Sequence, residues 1–230
     1  MMNSKISVII AAYNEAPRIA KVLEVVENHP LINEVIVVDD GSEDKTSEIA
    51  QRYNVTLIKN NKNAGKTISI RRGVEASKND LIMFLDADLE GLDKESVDKL
   101  VKPVLDGVVD WTLCYHKSSF GFMRLAKIDW ISGGRVVPKK LLADPLIWSK
   151  PNIGYGLEIL MNKSLLAKHK SFRSVYWPNV VNISKSKKIG RARGWTNELI
   201  MNYQIVRAAS LHEYISQFVR MSYLNRKYHK

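Results

Sequence analysis

The sequence predicts an α/β fold built on a mostly parallel sheet. Three observations carry that expectation. Short, β-branched apolar runs alternate with segments of helical periodicity, in the order strand-helix-strand-helix-strand-helix-strand. The best of these runs, residues 81–85, has five apolar residues in a row and reads as a buried strand. Polar motifs follow three of the runs, Tyr13-Asn14-Glu15, Asp39-Asp40 and Asp86-Ala87-Asp88. Ligands of such sheets sit beyond the carboxyl ends of the strands, so the three motifs are expected to converge on one edge.

The elements follow in order. Residues 5–12 form the first strand, which ends in Tyr13, Asn14 and Glu15. Ile19, Val22, Leu23 and Val26 then recur at i, i+3, i+4, i+7, and Asn28, His29 and Pro30 stop that helix. Residues 35–38 are the second strand. Ser42 is read as the N-cap of the next helix, with Glu43 and Asp44 at its positive end and Ile49 inward. Residues 55–58 are the third strand, and a polar loop over 60–65 leads into a helix over 66–76. After the fourth strand, Asp93 caps a helix with Val97, Leu100, Val101 and Val104 inward, which Pro103 is expected to kink or end. Residues 109–115 read as a strand and 117–127 as a mobile, basic loop. A glycine turn at 133–134 precedes Pro138, the expected first residue of a short helix. A helix opening near 156 carries Leu157, Leu160, Met161, Leu165 and Leu166 as its apolar set and Glu158 in its first turn, and residues 172–177 form a last strand. The tail from Trp195 through Phe218 has helical spacing, fit to pack on the domain, bind a partner helix or lie on a membrane.

The chain has 230 residues, one large domain's worth, with 45% hydrophobic content. Its one cysteine, Cys114, fits a reducing compartment, and its five histidines show no zinc-ligand spacing. No signal peptide is read, and no apolar run approaches the ~20 residues of a membrane span. The expected location is cytoplasmic, with peripheral contact on the inner face of an anionic membrane. The net charge of +11 is unevenly placed: residues 1–110 carry 14 Lys and Arg against 19 Asp and Glu, residues 111–230 carry 21 against 5. The basic half points to an anionic partner. No nucleic acid is expected, because no reading motif accompanies the charge and the first half is acidic.

Asp86 and Asp88 carry the chemistry. An extended Asp-x-Asp places both carboxylates on one face. At ~6 Å and an effective dielectric near 20 they repel by about 3 kcal/mol, a penalty a divalent cation removes. Oxygen-only ligands suit Mg²⁺ or Mn²⁺, which bind one or two carboxylates together with substrate phosphates.

The segments 7–15, 37–42, 63–66 and 84–88 resemble, in order and spacing, the family 2 glycosyltransferases of GT-A fold, a Rossmann-like sheet flanked by helices. The resemblance covers roughly residues 4–185. Ser132, Gly133, Gly134 and Arg135, with Gly154, Tyr155, Gly156, Leu157 and Glu158, are similar to the branch holding dolichyl-phosphate sugar synthases and glucosyl-3-phosphoglycerate synthases. It implies a nucleotide-sugar half over 1–110, an acceptor half over 111–194 and a basic helical tail over 195–230. It also implies roles. Ala12, Tyr13 and Glu15 would line the nucleoside pocket, Asp40 would contact base or ribose, and Lys66 would lie near the base or diphosphate. Asp86, with Ala87 beside it, and Asp88 would hold ribose and metal, Asp88 as the stronger ligand. Gly133, Gly134 and Arg135 would face donor sugar or acceptor, and Glu158 would hydrogen-bond the donor sugar or act as base. The chain departs from the pattern in two places. Residues 180–185 lack the late histidine that some relatives use as a metal ligand, leaving Asn182, Ser184 or a water, and no hydrophobic C-terminal spans follow.

The expected function is therefore metal-dependent transfer of a sugar from a UDP- or GDP-sugar to an anionic acceptor, polyprenyl phosphate or another phosphorylated molecule. Arg124, Lys127, Arg135, Lys185, Lys187 and Lys188 are the candidate acceptor cations. A nucleotidyltransferase of related fold is the alternative. It would call for a glycine-rich basic loop where Tyr13, Asn14 and Glu15 stand.

Overall fold

The computed structural model describes residues 5–150, 156–182 and 210–228. Among the described residues nine strands form: β1 (Ile6–Ala12), β2 (Glu34–Asp39), β3 (Thr56–Lys59), β4 (Leu81–Asp86), β5 (Leu89–Glu90), β6 (Trp111–His116), β7 (Arg135–Pro138), β8 (Phe172–Trp177) and β9 (Val181–Asn182). Seven of them make one sheet in the order β3-β2-β1-β4-β7-β6-β8, and β5 pairs with β9. All neighbours in the large sheet are parallel except at β7, which runs antiparallel to both β4 and β6. The two reversals cancel. β6 and β8 therefore point the same way as β4, and the carboxyl ends of six strands share one edge.

The apolar runs reflect burial on both faces. Alternate strand residues feed two separate cores. Ile6, Val8, Ile10, Val35, Val37, Leu81 and Met83 pack with α1 (Ile19–Val26) and α4 (Lys94–Leu105). Ile9, Ile82, Phe84, Trp111, Leu113 and Phe172 pack with α3 (Lys66–Ala76), α6 (Leu157–Ala167) and a last helix, α7 (Leu211–Tyr228). Ile19, Val22, Leu23 and Val26 are all buried, as their spacing requires.

Asp93 caps α4 by accepting from the Ser96 N–H at 2.7 Å. The helix runs two residues past Pro103, whose carbonyl then takes the N–H groups of Val108 and Val109. Several expectations need correction. Ser42 caps nothing: α2 (Thr46–Ala50) starts later, the Asp44 side chain takes the Thr46 N–H at 2.9 Å, and the Ser42 hydroxyl accepts from Asn14. Residues 117–127 are not all loop, because Gly121–Leu125 form the short helix α5, pinned by buried Met123. Pro138 ends strand β7 and precedes a 3-10 turn over Lys139–Ala143. Its missing N–H is tolerated at a strand terminus.

The described part of the tail packs on the domain. α7 buries Gln217, Met221 and Asn225 on one face. β8 is an edge strand, and the Asn225 side chain covers it by accepting from the Ser174 N–H at 2.9 Å while donating to the Lys127 carbonyl at 3.0 Å. Gln217 donates to the Ile159 carbonyl at 3.1 Å. Trp195, Leu199, Tyr203, Val206 and the basic run 185–193 lie outside the described residues.

Candidate functional site

Ala12, the last residue of β1, is buried, and its carbonyl takes the Asp40 N–H at 2.8 Å. Tyr13 follows, 42% exposed at the sheet edge. Asn14 turns the chain at φ 54°, in the left-handed region that Asn tolerates. Its N–H donates to Ser42 and its side-chain oxygen accepts from Glu43, both at 2.9 Å. The Glu15 N–H donates to the Thr46 hydroxyl at 2.8 Å, so the loops after β1 and β2 are stapled together. The Glu15 carboxylate itself pairs with Arg18 at 2.6 Å.

Asp40 is buried and builds the next loop. Its Oδ1 accepts from the Asn60 amide at 2.6 Å and the Ala64 N–H at 2.9 Å, and its Oδ2 accepts from the Gly65 N–H at 2.8 Å. These bonds fix residues 60–65 and so deliver Lys66, the first residue of α3, over the end of β4.

There the Lys66 ammonium lies 3.0 Å from Asp86 Oδ1 and 2.9 Å from Glu158 Oε1. Burial would lower the Lys66 pKa, but the two carboxylates outweigh it and hold it above its ordinary value. Burial likewise works to raise the Asp86 carboxyl. The Lys66 charge and hydrogen bond, the Asn182 amide at 3.3 Å and nearby His116 reverse that and hold it below the usual range. Asp86 is thus an anion at neutral pH. Gly133 lies directly against it: an added Cβ would come within 2.7 Å of both carboxylate oxygens. Gly134 is equally tight against the Cys114 sulfur.

Glu158 sits in the first turn of α6, as its position predicts, but it is buried rather than solvated. Its Oε2 is buried without a hydrogen-bond partner among the described residues. Arg135 is 1% exposed. Its guanidinium donates to the Ser132 carbonyl from Nη2 and, at 3.2 Å, from Nε, and to Asn162 Oδ1 from Nη1 at 3.1 Å. The wall it shares with Lys66, Asp86, Gly133 and Glu158 encloses a small cavity at the end of β4. Arg135 thus reaches the site from inside the protein while bracing the loop that carries the two glycines.

The carboxylate pair has a different shape from the one its spacing suggests. Asp86 ends β4, Ala87 and Asp88 form a turn, and β5 begins at Leu89. The two acids are therefore not successive positions of one extended strand. The turn is held by the β5–β9 pairing of Leu89 with Asn182, and Gly91, at φ 73°, leaves no room for a Cβ against the Asn179 carbonyl.

The donor set suits a hard divalent cation. Asp88 is half-buried, Asp86 is ionised, and Asn182 offers a buried Oδ1 that has no partner among the described residues. Among the described residues no three His, Cys, Asp or Glu side chains form a complete metal cage. Such a partial set fits a cation that takes its remaining ligands from substrate phosphates.

Sequence reasoning missed His116. It closes β6 on the same edge as Asp86, buried, with Nδ1 2.8 Å from the Ser118 hydroxyl. Burial lowers its pKa against the pull of Asp129, Asp86 and Asp88. Ser118 also accepts from the Asn182 N–H at 3.0 Å, which links β6 to Asp86 through Asn182. The signal was its place at a strand's carboxyl end. The expected strand stopped one residue short of it. Asn162, which joins Arg135 to the Trp130 carbonyl at 2.7 Å, left no signal at all. Gly154, Tyr155, Ser184, Lys185, Lys187 and Lys188 lie outside the described residues.

A family model described as Glycosyl transferase family 2 matches residues 7–166. The chain is 34% identical over 109 residues to a dolichol-phosphate mannosyltransferase of Pyrococcus furiosus, across 45% of this chain and 31% of that protein. It is 35% identical over 119 residues to a dolichyl-phosphate beta-glucosyltransferase of Mus musculus, across 44% and 36%. These matches span roughly a third of each relative's length. In fold the chain is similar to glucosyl-3-phosphoglycerate synthase from Mycobacterium tuberculosis in complex with Mn²⁺, UDP and phosphoglyceric acid. That likeness has a TM-score of 0.72 at 20% identity, covering 94% of this chain and 78% of the other.

Proposed function

Because this chain belongs to glycosyl transferase family 2, we propose that it moves a sugar from a UDP- or GDP-sugar, bound with Mg²⁺ or Mn²⁺, to an anionic acceptor. Polyprenyl phosphate or another phosphorylated molecule is the acceptor class. The observation that carries the reading is the Lys66 bridge between Asp86 and Glu158, beside Asp88 at the carboxyl edge of the sheet. The relatives named for dolichol-phosphate transfer, and the structural neighbour holding UDP, Mn²⁺ and phosphoglyceric acid, support it.

Tyr13 and Ala12, on the loop stapled to residues 42–46, border the nucleoside position, with Glu15 behind them. Asp40 shapes the adjoining loop through its bonds to Asn60, Ala64 and Gly65. Asp88, with Asp86 and Asn182 Oδ1, would hold the cation, which when bound supplies a Lewis acid for the departing diphosphate. Lys66 keeps Asp86 ionised and holds both carboxylates in place, so they are fixed before the donor arrives. Glu158 Oε2, buried and without a partner among the described residues, accepts a hydroxyl of the donor sugar and faces the positive charge that develops at the anomeric carbon. Gly133 lets that sugar approach Asp86 without a side chain between them. Arg135 and Asn162 brace the glycine loop. A phosphate acceptor arrives already ionised and needs no general base. Arg124 and Lys127, exposed beyond β6, are the described cations that would receive it.

The test is a hydrolysis and transfer panel of UDP-, GDP- and TDP-sugars with Mg²⁺ or Mn²⁺. One donor is expected to turn over only with metal, and Asp88→Ala should lower the rate about a hundredfold or more. Metal-independent turnover, or an active Asp88→Ala, would refute the assignment.

A further inference from the structure

The aromatic side chains of the basic half form a continuous path from the interior to the surface. Buried Trp130 packs against Phe218 of α7 with tilted rings at 4.7 Å, Phe218 meets Phe122 of α5 edge-on at 5.8 Å, and Phe122 stacks on Phe120 at 6.2 Å. Phe120 and Phe122 are more than half exposed, and Leu125, one helical turn on, is 87% exposed. α7 repeats the pattern. One face is accounted for by buried Gln217, Met221 and Asn225. On the opposite face Ile215, Val219 and Tyr223 recur at i, i+4, i+8, each more than half exposed. A helix needs one apolar stripe to dock on its own domain. The second stripe has no such use.

Charge indicates what covers these faces. Lys117, Arg124, Lys127, Arg220 and Arg226 are exposed around the apolar residues. Across residues 117–128 and 210–228 the single acidic side chain outside buried Asp129's neighbourhood is Glu213, which is paired with Lys163 at 2.9 Å. Bulky apolar groups set among Arg and Lys, with almost no acid, match an interfacial anionic lipid surface. A second copy of the same face would bring like charges together.

We propose that α5 and the outer face of α7 form one docking surface for an anionic lipid bilayer. The placement gives it a purpose. The segment carrying α5 leaves the sheet at His116, on the edge that holds Asp86, and Ser118 is tied to Asn182 of the site. Docking there would bring the mouth of the site to headgroup level, where a lipid phosphate presents itself. That purpose rests on the lipid-phosphate reading of the acceptor, whereas the binding itself is measured without any reaction.

The experiment is flotation of the full chain with vesicles of phosphatidylglycerol and phosphatidylcholine in equal parts, and with phosphatidylcholine alone. The chain is expected to float with the mixed vesicles at least about tenfold more than with the neutral ones. The double variants Phe120→Ser/Leu125→Ser and Ile215→Ser/Val219→Ser should each lower that partition about tenfold. Both should keep the wild-type melting temperature and donor hydrolysis. Absence from both vesicle types, partition untouched by either double variant, or a dimer in light scattering that both variants dissociate would overturn the proposal. Vesicle binding that follows the expected pattern in a chain hydrolysing no sugar nucleotide would sustain the surface and sink the reaction.

Discussion

Lys66 Nζ lies 2.9 Å from Glu158 Oε1, so the first residue of α3 and the first turn of α6 meet over the end of β4. The contact joins residues 92 apart in sequence, and Asp86 makes it a three-charge cluster with one positive member. Lys66→Met would leave two carboxylates without their cation. Breaking such a pair from one side costs about 3 kcal/mol. Urea denaturation at neutral pH should read that loss. The deficit should shrink towards pH 4, where protonation of Asp86, no longer held low by Lys66, relieves the stranded charge.

Gly133→Ala separates access from stability. The new Cβ would lie 2.7 Å from both Asp86 oxygens, so the carboxylate must turn away from Lys66 and Asn182. The variant should melt within a few degrees of wild type and lose donor hydrolysis about a hundredfold. A fully active Gly133→Ala would mean that Asp86 has no fixed place in the reaction.

Cys114 should be inert while the protein is folded. Burial pushes its thiol up to about 12, against the pull of its hydrogen bond with Ser132. Thiolate is the reactive form. A colorimetric thiol reagent at pH 8 should therefore react with unfolded chain and leave the native chain untouched. Rapid native labelling would contradict the packing of β6 against Gly134.

Asp144 supplies a pH-dependent share of stability. Its hydrogen bonds with Lys168 at 2.5 Å and Ser164 at 2.6 Å, and the Leu146 N–H, hold its carboxyl at about 2, against 3.8 without them. A carboxyl lowered by folding stabilises the fold above its unfolded value and ceases to do so as pH falls through its folded value. Asp144→Asn should therefore be less stable than wild type at pH 6, and the two should converge as the pH falls from about 4 to about 2. A gap that persists at pH 2 would assign the effect to packing.

Much of this was legible in the residues themselves. Residues 66–76 and 172–177 form the expected helix and strand to the residue, because polar loops bound them sharply. The convergence of Tyr13, Asp40 and Asp86 followed from strand direction alone. β7 was not legible. It has four residues, ends in a proline and owes its existence to β4, with Phe84 opposite Arg135. Long-range pairing of that kind leaves no local pattern. The burial of Glu158 and Arg135 was hidden for a related reason. A charge reads as surface until its partners, here Lys66 and Asn162, are brought to it by distant elements. The Asp86–Asp88 geometry misled because a two-residue spacing implies alternation only while the strand continues, and β4 stops at the first acid.

β7 has one further consequence. It is the seam at which the acidic and basic portions of the chain share a sheet, paired to β4 on one side and β6 on the other. A fragment cut before it would bare the β4 edge along its whole length and invite strand exchange between molecules. The two portions are therefore not interchangeable cassettes, and a chimera that swaps one for a relative's must carry this strand with a register that suits both neighbours.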